Sequence, residues 1–191
     1  KPPLIISLFL ICLSASGQRS MTIAFGSCSH QNNEVQLWDE ILLKNLILDL
    51  GGDNIYGDSH HLAELQSKYD KQKSRASYQR LLNSIPITGT WDDHDYGQND
   101  GGKFYTQRYA SKKLAATFLG FGPDHEVWTH DGLYNSHKLG KGKRHLHIIN
   151  LDTRFFRDTL QRAYTLDSIT QERRYRYVVA AGDILGEGQW Q

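Results

Sequence analysis

The chain has 191 residues, of which 39% are hydrophobic and 23% are charged, and its formal net charge is +1 at pH 7. This length and composition are ordinary for one folded domain and argue against a disordered chain. The balanced charge gives no sign of a nucleic-acid-binding surface or of a stable membrane partner, so we predict neither.

The N-terminal segment is predicted to be a secretory signal peptide. It begins with Lys1, continues with an apolar stretch over residues 4–13, and ends in small residues at 14–17. A basic start, a short apolar core and a small-residue exit are the parts of such a signal. The apolar core is short for a membrane span, so an N-terminal anchor is the less favoured alternative. We therefore expect a signal peptide at 1–17, one domain at 18–191, and a secreted or periplasmic location.

The pattern of apolar residues after this segment predicts strands that alternate with helices. Such an alternation is typical of α/β folds. The basic residues at 138–144 are interpreted as a hairpin turn, and Gly120 as the end of a helix. Strands are expected at 21–25, 46–50, 81–88, 134–139 and 145–151, and helices at 34–46, 65–82 and 104–119.

The most informative segment is residues 89–100, Gly-Thr-Trp-Asp-Asp-His-Asp-Tyr-Gly-Gln-Asn-Asp. It holds four carboxylates, a histidine and an amide, and like charges at that density repel one another unless a cation lies among them. The segment follows the predicted strand at 81–88, and open α/β sheets place their sites at the carboxyl ends of strands. We therefore predict a metal site here, with a solvated Asp-rich turn as the alternative.

Other predicted strands also end in residues that bind metals or phosphate. Asp53 follows the second strand after two glycines, and Tyr56 offers a phenolate nearby. Oxygen ligands of this kind suit a hard or borderline cation. Cys28 follows the first strand. Asp152 follows the strand at 145–151, and Arg154 beside it suits a bidentate contact with phosphate.

Cysteine usage supports a ligand role for Cys28. Removal of the signal peptide would take away Cys12 and leave Cys28 as the remaining thiol. A lone thiol is a liability in an oxidising compartment, and a bond to a metal would protect it. A small buried core cysteine is the alternative.

Several short motifs occur together in a set order. They are Phe-Gly-Ser-Cys at 25–28, Gly-Asp-Asn-Ile-Tyr-Gly-Asp at 52–58, Trp-Asp-Asp-His-Asp at 91–95 with Asn-Asp at 99–100, Leu-Asp-Thr-Arg at 151–154, and Leu-Gly-Glu-Gly-Gln-Trp at 185–190. In order and approximate spacing the chain resembles the alkaline phosphatase D (PhoD-like) family of metallophosphoesterases. The resemblance implies an α/β fold, the four-layer metallophosphatase (calcineurin-like) sandwich, with metal ions at the sheet ends.

The resemblance also implies a set of metal ligands. Cys28, Asp53 and Tyr56 would hold one metal ion, commonly iron in the family's type enzyme. Asp53 would bridge to a second site, commonly calcium or another divalent cation, which Asn99 and Asp152 would join. The implied activity is hydrolysis of small-molecule phosphate esters, either monoesters or diesters, by metal-activated water.

Catalytic roles are implied for three further residues. Arg154 would hold the substrate phosphate. Asp93 and His94 match the position of an Asn-His pair in metallophosphatases, with Asp in place of the usual Asn. His94 would then stabilise the transferring phosphoryl group or protonate the leaving oxygen.

Family members continue beyond the last of these motifs and supply further metal ligands there. The resemblance therefore predicts a domain that is incomplete at its C-terminus, without part of the metal site and about half of the sandwich. A domain of that kind can be inactive or poorly folded on its own.

Two other functions remain open from the residues. Gly57-Asp58-Ser59 is similar to the nucleophile segment of Gly-Asp-Ser esterases, in which Ser59 would attack an acyl carbon. Its position after the second strand and the lack of a late Asp-x-x-His segment disfavour that interpretation. The other alternative is a secreted module in which cations only stabilise loops and no reaction is catalysed.

Overall fold

A computed structural model of the protein describes residues 21–44, 46–142, 144–178 and 181–191. The predicted signal peptide at 1–17 lies outside these residues. Within the described ranges, none of the helices combines the length and the apolar character needed to cross a bilayer.

A three-stranded parallel sheet positions the site. Its strands are β1 (Ile23–Gly26), β2 (Ile47–Leu50) and β3 (Ile87–Gly89), and they lie in the order β1-β2-β3. Ala24 pairs with Leu48, and Leu48 pairs with Ile87. Because all three strands run the same way, the loops that follow them meet at one edge of the sheet.

Helices cover one face of this sheet. Leu48 and Leu50 alternate with Asp49 along β2, so both leucines face the same way and are buried in the apolar core. Core residues on the helices include Leu65, Tyr69 and Phe118. The helices are α1 (Trp38–Leu42), α2 (Leu62–Lys73), α3 (Ala76–Leu82), α4 (Asp93–Tyr96) and α5 (Arg108–Phe118), with 3-10 turns at Glu126–Trp128 and Glu187–Trp190.

Two antiparallel hairpins complete the described structure. The first pairs β4 (Asn135–Lys141) with β5 (Arg144–Asn150), and the second pairs β6 (Gln161–Leu166) with β7 (Arg173–Val178). The first confirms the predicted turn at 138–144. The second was not predicted, because arginines and tyrosines fill β7 and do not give the apolar alternation that marks a half-buried strand.

The β4–β5 hairpin contacts the sheet through polar side chains. The amide nitrogen of Asn150 donates to Thr88 Oγ1 at 3.0 Å, and that of Asn135 donates to the backbone oxygen of Gly89 at 2.9 Å. Asp49 is buried on β2 next to Asn150, and burial raises the pKa of its carboxyl group although Asn150 opposes the shift. This layer of buried amides fixes the hairpin against β3 in one register, since each lost pair would leave a buried polar group unsatisfied.

His137 in this polar layer is expected to make the fold acid-sensitive. Burial lowers the pKa of His137 and the nearby His125 adds to the effect, against the opposing charges of Asp49 and Glu126. The unfolded chain, where a histidine titrates near about 6.5, therefore binds the proton more readily than the folded chain. Stability is present above that pH and falls as the pH drops below it. Urea unfolding at pH 7.5 and 5.5 measures this fall in the free energy of unfolding, and we expect a smaller fall for His137→Gln than for the unchanged chain. An equal fall in both proteins would contradict the prediction.

Four predicted elements have wrong boundaries, among them the helix expected at 104–119, which begins only at Arg108. The strand expected at 81–88 begins only at Ile87, because Leu81 lies in α3 and is buried in the core. The helix expected at 65–82 is two helices, separated at residues 74–75 by the extended backbone of Arg75. The helix expected at 34–46 is shorter and comprises only α1, Trp38–Leu42. The remaining strands start and end within two residues of the prediction, and Gly120 follows α5 with a φ of +80°.

The architecture is thus mixed α/β, as predicted at that level. The four-layer sandwich is not confirmed, because the described residues form one small parallel sheet and two hairpins.

Candidate metal centre

Three predicted site residues converge at the carboxyl edge of the sheet. One ligand atom each from Asp53, Asp93 and His94 lie within 4.8 Å of one another. Asp53 follows β2, and the other two open α4 directly after β3. Because β2 and β3 are neighbours, their following loops bring the two carboxylates and the imidazole together.

The loop after β2 requires glycine. Gly52 has a φ of +107°, and a Cβ atom there would lie 2.7 Å from the backbone nitrogen of Asp92. Only a residue without a side chain lets the two loops approach this closely. Asp53 itself has a φ of +51°, and its backbone oxygen accepts a hydrogen bond from Ser29 at 2.8 Å. All three strand-end loops are therefore joined at Asp53.

The Asp53 carboxylate has the character of a cation ligand. It is buried, and its Oδ1 atom has no hydrogen-bond partner among the described residues. Burial raises the pKa of Asp53, and the charge of Asp92 adds to this. A buried carboxylate oxygen without a donor is costly, and a cation bound to it would remove that cost. The donor set fits a hard or borderline cation.

Cys28 and Tyr56 lie beside this cluster. The Cys28 sulfur is 3.5 Å from Asp53 Oδ2, and its backbone has a φ of +58°. The Tyr56 ring is stacked between His30 and His94, at centroid distances of 4.8 and 4.2 Å. Burial and the hydrogen bond with Cys28 raise the pKa of Tyr56 to about 12, so its phenol holds its proton at neutral pH. The alternative of a buried core cysteine is wrong, since Cys28 is exposed.

His94 is oriented by a carboxylate that the sequence analysis did not assign. Both oxygens of Asp58 lie 2.7 Å from His94 Nδ1. Burial disfavours the imidazolium, but the contact with Asp58 outweighs it and the pKa of His94 is raised. Because Nδ1 is occupied, Nε2 is the nitrogen left for a cation or a substrate.

Asp93 and Arg154 form the second side of the site. Asp93 Oδ2 accepts the backbone N–H of Asp100 at 2.8 Å, and Arg154 Nη2 lies 3.6 Å from Asp93 Oδ1. Burial alone would raise the pKa of Asp93, but these two contacts outweigh it and the pKa is lowered. Arg154 Nε also donates to Asp92, and its buried Nη1 has no partner within the described residues. That guanidinium nitrogen is available for an anion.

A buried carboxylate beneath the site ties the two acidic loops together. Asp95 accepts hydrogen bonds from the backbone nitrogens of Asn54 at 3.0 Å, Ile55 at 3.2 Å and Asp92 at 3.1 Å. The Tyr69 hydroxyl donates a further bond at 3.2 Å. Burial raises the pKa of Asp95 to about 7, although the backbone donors favour the ionised form.

Two predicted ligands lie outside the cluster. Asn99 is exposed and lines a neighbouring cavity. Asp152 is fully buried, and its carboxylate accepts the backbone N–H groups of Arg154 at 2.8 Å, Phe155 at 2.9 Å and Leu133 at 2.6 Å. Asp152 therefore holds the loop that presents Arg154. A role for Asn99 and Asp152 in a second metal site stays a prediction.

Sequence reasoning missed the support given by Asp58 and Asp95, although signals for both exist. Asp58 follows Gly57, where a Cβ atom would lie 2.6 Å from the backbone oxygen of His94. A glycine directly before an acidic residue was therefore the sequence signal that this loop approaches the backbone of α4. Asp92 and Asp95 have the spacing of a helix capping box, in which the residue at N3 accepts the backbone N–H of the N-cap.

The fold and the site define a mixed α/β domain with an acidic and imidazole cluster suited to a metal ion. No protein-family model and no curated protein sequence matches the chain. Among solved structures, the chain is similar to the structure of PhoD, with a TM-score of 0.61 and 19% sequence identity. The match covers 78% of this chain and 34% of the PhoD chain, so the chain spans about a third of that protein's length. At this identity the likeness is one of fold.

Proposed function

We propose that the chain carries the site of a metal-dependent phosphoester hydrolase. The observation that carries the proposal is the Asp53–Asp93–His94 cluster at the carboxyl edge of the sheet, with the Arg154 guanidinium 3.6 Å from Asp93. Cation ligands beside an arginine are the components that phosphoryl transfer requires. The likeness in fold to PhoD supports the same reaction class.

Each residue has a defined task in this proposal. A bound cation would neutralise the phosphate oxygens and lower the pKa of a water molecule. Arg154 binds a phosphate oxygen through Nη1. Asp58 binds His94 at Nδ1 and so fixes the tautomer of the imidazole. His94 then holds or gives a proton at the leaving oxygen through Nε2. The Tyr56 ring stacked on His94 restricts rotation of the imidazole.

The finer assignments are also proposals. Asp53 binds metal, together with Cys28 and Tyr56 on one side and Asp93 on the other, which leaves Nε2 of His94 for the leaving oxygen. Two or more ions, iron and calcium by resemblance, fit such a thiol, phenol, carboxylate and imidazole set. The substrate is a small-molecule phosphate ester, and the protein is secreted or periplasmic.

The esterase alternative receives no support from the geometry. The Ser59 hydroxyl donates to Glu64 at 2.8 Å and accepts the backbone N–H of His61 at 3.1 Å. A nucleophilic serine instead needs a base such as imidazole at its hydroxyl. In this position Ser59 orders the loop that leads into α2, whose N-cap is His61.

The test is turnover of p-nitrophenyl phosphate and of bis(p-nitrophenyl) phosphate by the chain loaded with iron and calcium, before and after EDTA. Turnover that EDTA abolishes and added metal restores is the expected result. Metal bound by titration calorimetry without any turnover would overturn the catalytic proposal in favour of a cation that only stabilises loops. Turnover that resists EDTA but is lost to a serine-reactive phosphonate would point to Ser59 instead.

A further inference from the structure

One face of the β6–β7 hairpin combines arginines with tyrosines. Arg162 pairs with Tyr177, and Tyr164 pairs with Tyr175, across the two strands. Alternation along each strand places these residues, together with Arg173, on the same side of the hairpin. We call this set the Tyr–Arg face.

The guanidinium groups of this face lie over its rings. Arg162 is 4.5 Å from the ring centre of Tyr175 and 5.5 Å from that of Tyr177. Arg173 is 3.9 Å from the ring centre of Tyr164. Cation–π contacts of this kind fix the orientation of side chains that would otherwise be mobile on an exposed strand. The face is therefore an ordered aromatic surface.

This face forms one wall of a cavity of about 570 Å³. Its other walls include Gln98, Asn99, Gly102 and Phe104. The volume falls within the range of sites that bind small organic molecules and is large enough for a mononucleotide.

The cavity adjoins the metal-ligand cluster. The Tyr177 hydroxyl donates to the carboxylate of Asp100, and Arg162 lies 3.6 Å from the same carboxylate. The backbone N–H of Asp100 in turn donates to Asp93. A phosphoester bound beside Asp93 and Arg154 would therefore lie next to the cavity, which has room for its alcohol substituent.

The charges in the cavity are paired, which leaves an aromatic and amide surface. Asp100 is opposed by Arg162, and Asp158 by Lys103. Tyr164 is 49% exposed, so the part of its ring that Arg173 does not cover is accessible to a ligand. Aromatic rings stack on bases, and side-chain amides such as that of Gln98 hydrogen-bond to base edges.

We propose that the Tyr–Arg face and its cavity bind the nucleobase of a nucleoside phosphodiester while the phosphate lies at the Asp53–Asp93–His94 cluster. This inference rests on the proposed hydrolase function and assigns its substrate class. Stacking of the base on Tyr164 makes the site prefer nucleoside esters to simple alkyl esters, and the neighbouring amides donate and accept hydrogen bonds at the base edge.

The test compares two esters with the same leaving group, thymidine 5′-(p-nitrophenyl phosphate) and methyl p-nitrophenyl phosphate, on the metal-loaded chain. The ratio of their kcat/KM values isolates the contribution of the nucleoside. Tyr164→Ala should lower this ratio about tenfold, the loss typical of one base–aromatic stack. Tyr109→Ala is the matched control, because Tyr109 is 51% exposed on α5 outside this cavity. An unchanged ratio in Tyr164→Ala, or an equal loss in both variants, would overturn the proposal.

A binding measurement separates failure of this inference from failure of the hydrolase proposal. Thymidine 5′-monophosphate and ribose 5-phosphate are titrated into the chain by calorimetry with no turnover required. Tighter binding of the nucleotide, weakened in Tyr164→Ala, supports the base site even if neither ester is hydrolysed. Equal binding of both compounds overturns it, whatever the esterase assays give.

Discussion

Asp53→Asn is expected to abolish metal binding and turnover together. The substitution keeps the size of the side chain but removes the negative charge and leaves one oxygen where the buried carboxylate has two. Because Asp53 belongs to the proposed ligand set itself, we expect metal affinity to fall by more than the about 10–100-fold typical of residues behind the ligands. Metal content by mass spectrometry and turnover of bis(p-nitrophenyl) phosphate measure the two losses on one preparation.

The matched control is Asp49→Asn, four residues earlier in the same segment. Asp49 is also buried, but it lies within β2 beside Asn150 and outside the cluster. The Asp49→Asn variant should retain metal.

The Asp53→Asn variant should not lose stability in the metal-free state, since removing a buried charge with an unpartnered oxygen lowers a desolvation cost. Full metal content in Asp53→Asn would remove Asp53 from the site.

The convergence of Asp53, Asp93 and His94 was predictable because short motifs at strand ends can be identified even where the start of the strand is misplaced. Asp53 and the Asp93–His94 pair converge although the third strand starts six residues later than predicted. Only the end of that strand matters for the site, and the end was marked by Gly89. Asn99 and Asp152 were assigned to a metal by resemblance, and nothing local in their sequence indicates whether their side chains turn toward it.

The rest of the fold depends on contacts that sequence periodicity does not encode. The break between α2 and α3 falls at Ser74–Arg75, where the Arg75 guanidinium donates to the backbone oxygens of Gln31 and Asn33. That stabilisation comes from a loop more than 40 residues away in the sequence. Backbone pairing and cation–π contacts across its strands hold the β6–β7 hairpin, and its residues would suit an exposed loop equally well. Local sequence patterns therefore predict the parallel sheet and the acidic loop. The remaining boundaries depend on contacts with side chains that are distant in the sequence.

Asp95→Asn is expected to be the most destabilising single substitution near the site. The Asp95 carboxylate acts only as an acceptor and receives five hydrogen bonds. Their donors include the backbone nitrogens of Asn54, Ile55 and Asp92. An asparagine at this position must turn an NH₂ group toward some of those donors in either orientation. The result is unsatisfied buried N–H groups, with a loss of about 3 kcal/mol in the free energy of unfolding. For a domain of this size that corresponds to a fall of about 10 °C in Tm.

The control for this prediction is Asp70→Asn. Asp70 is exposed on α2 and accepts one bond from Gln66, so its replacement should change stability by less than about 0.5 kcal/mol. Asp95 also joins the loop that carries Asp53 to the loop that carries Asp93. Destabilisation should therefore be accompanied by weaker metal binding at temperatures where the variant is still folded. A stable variant with unchanged metal affinity would show that the two loops are held in place by the sheet alone, and Asp95 would lose its assigned role.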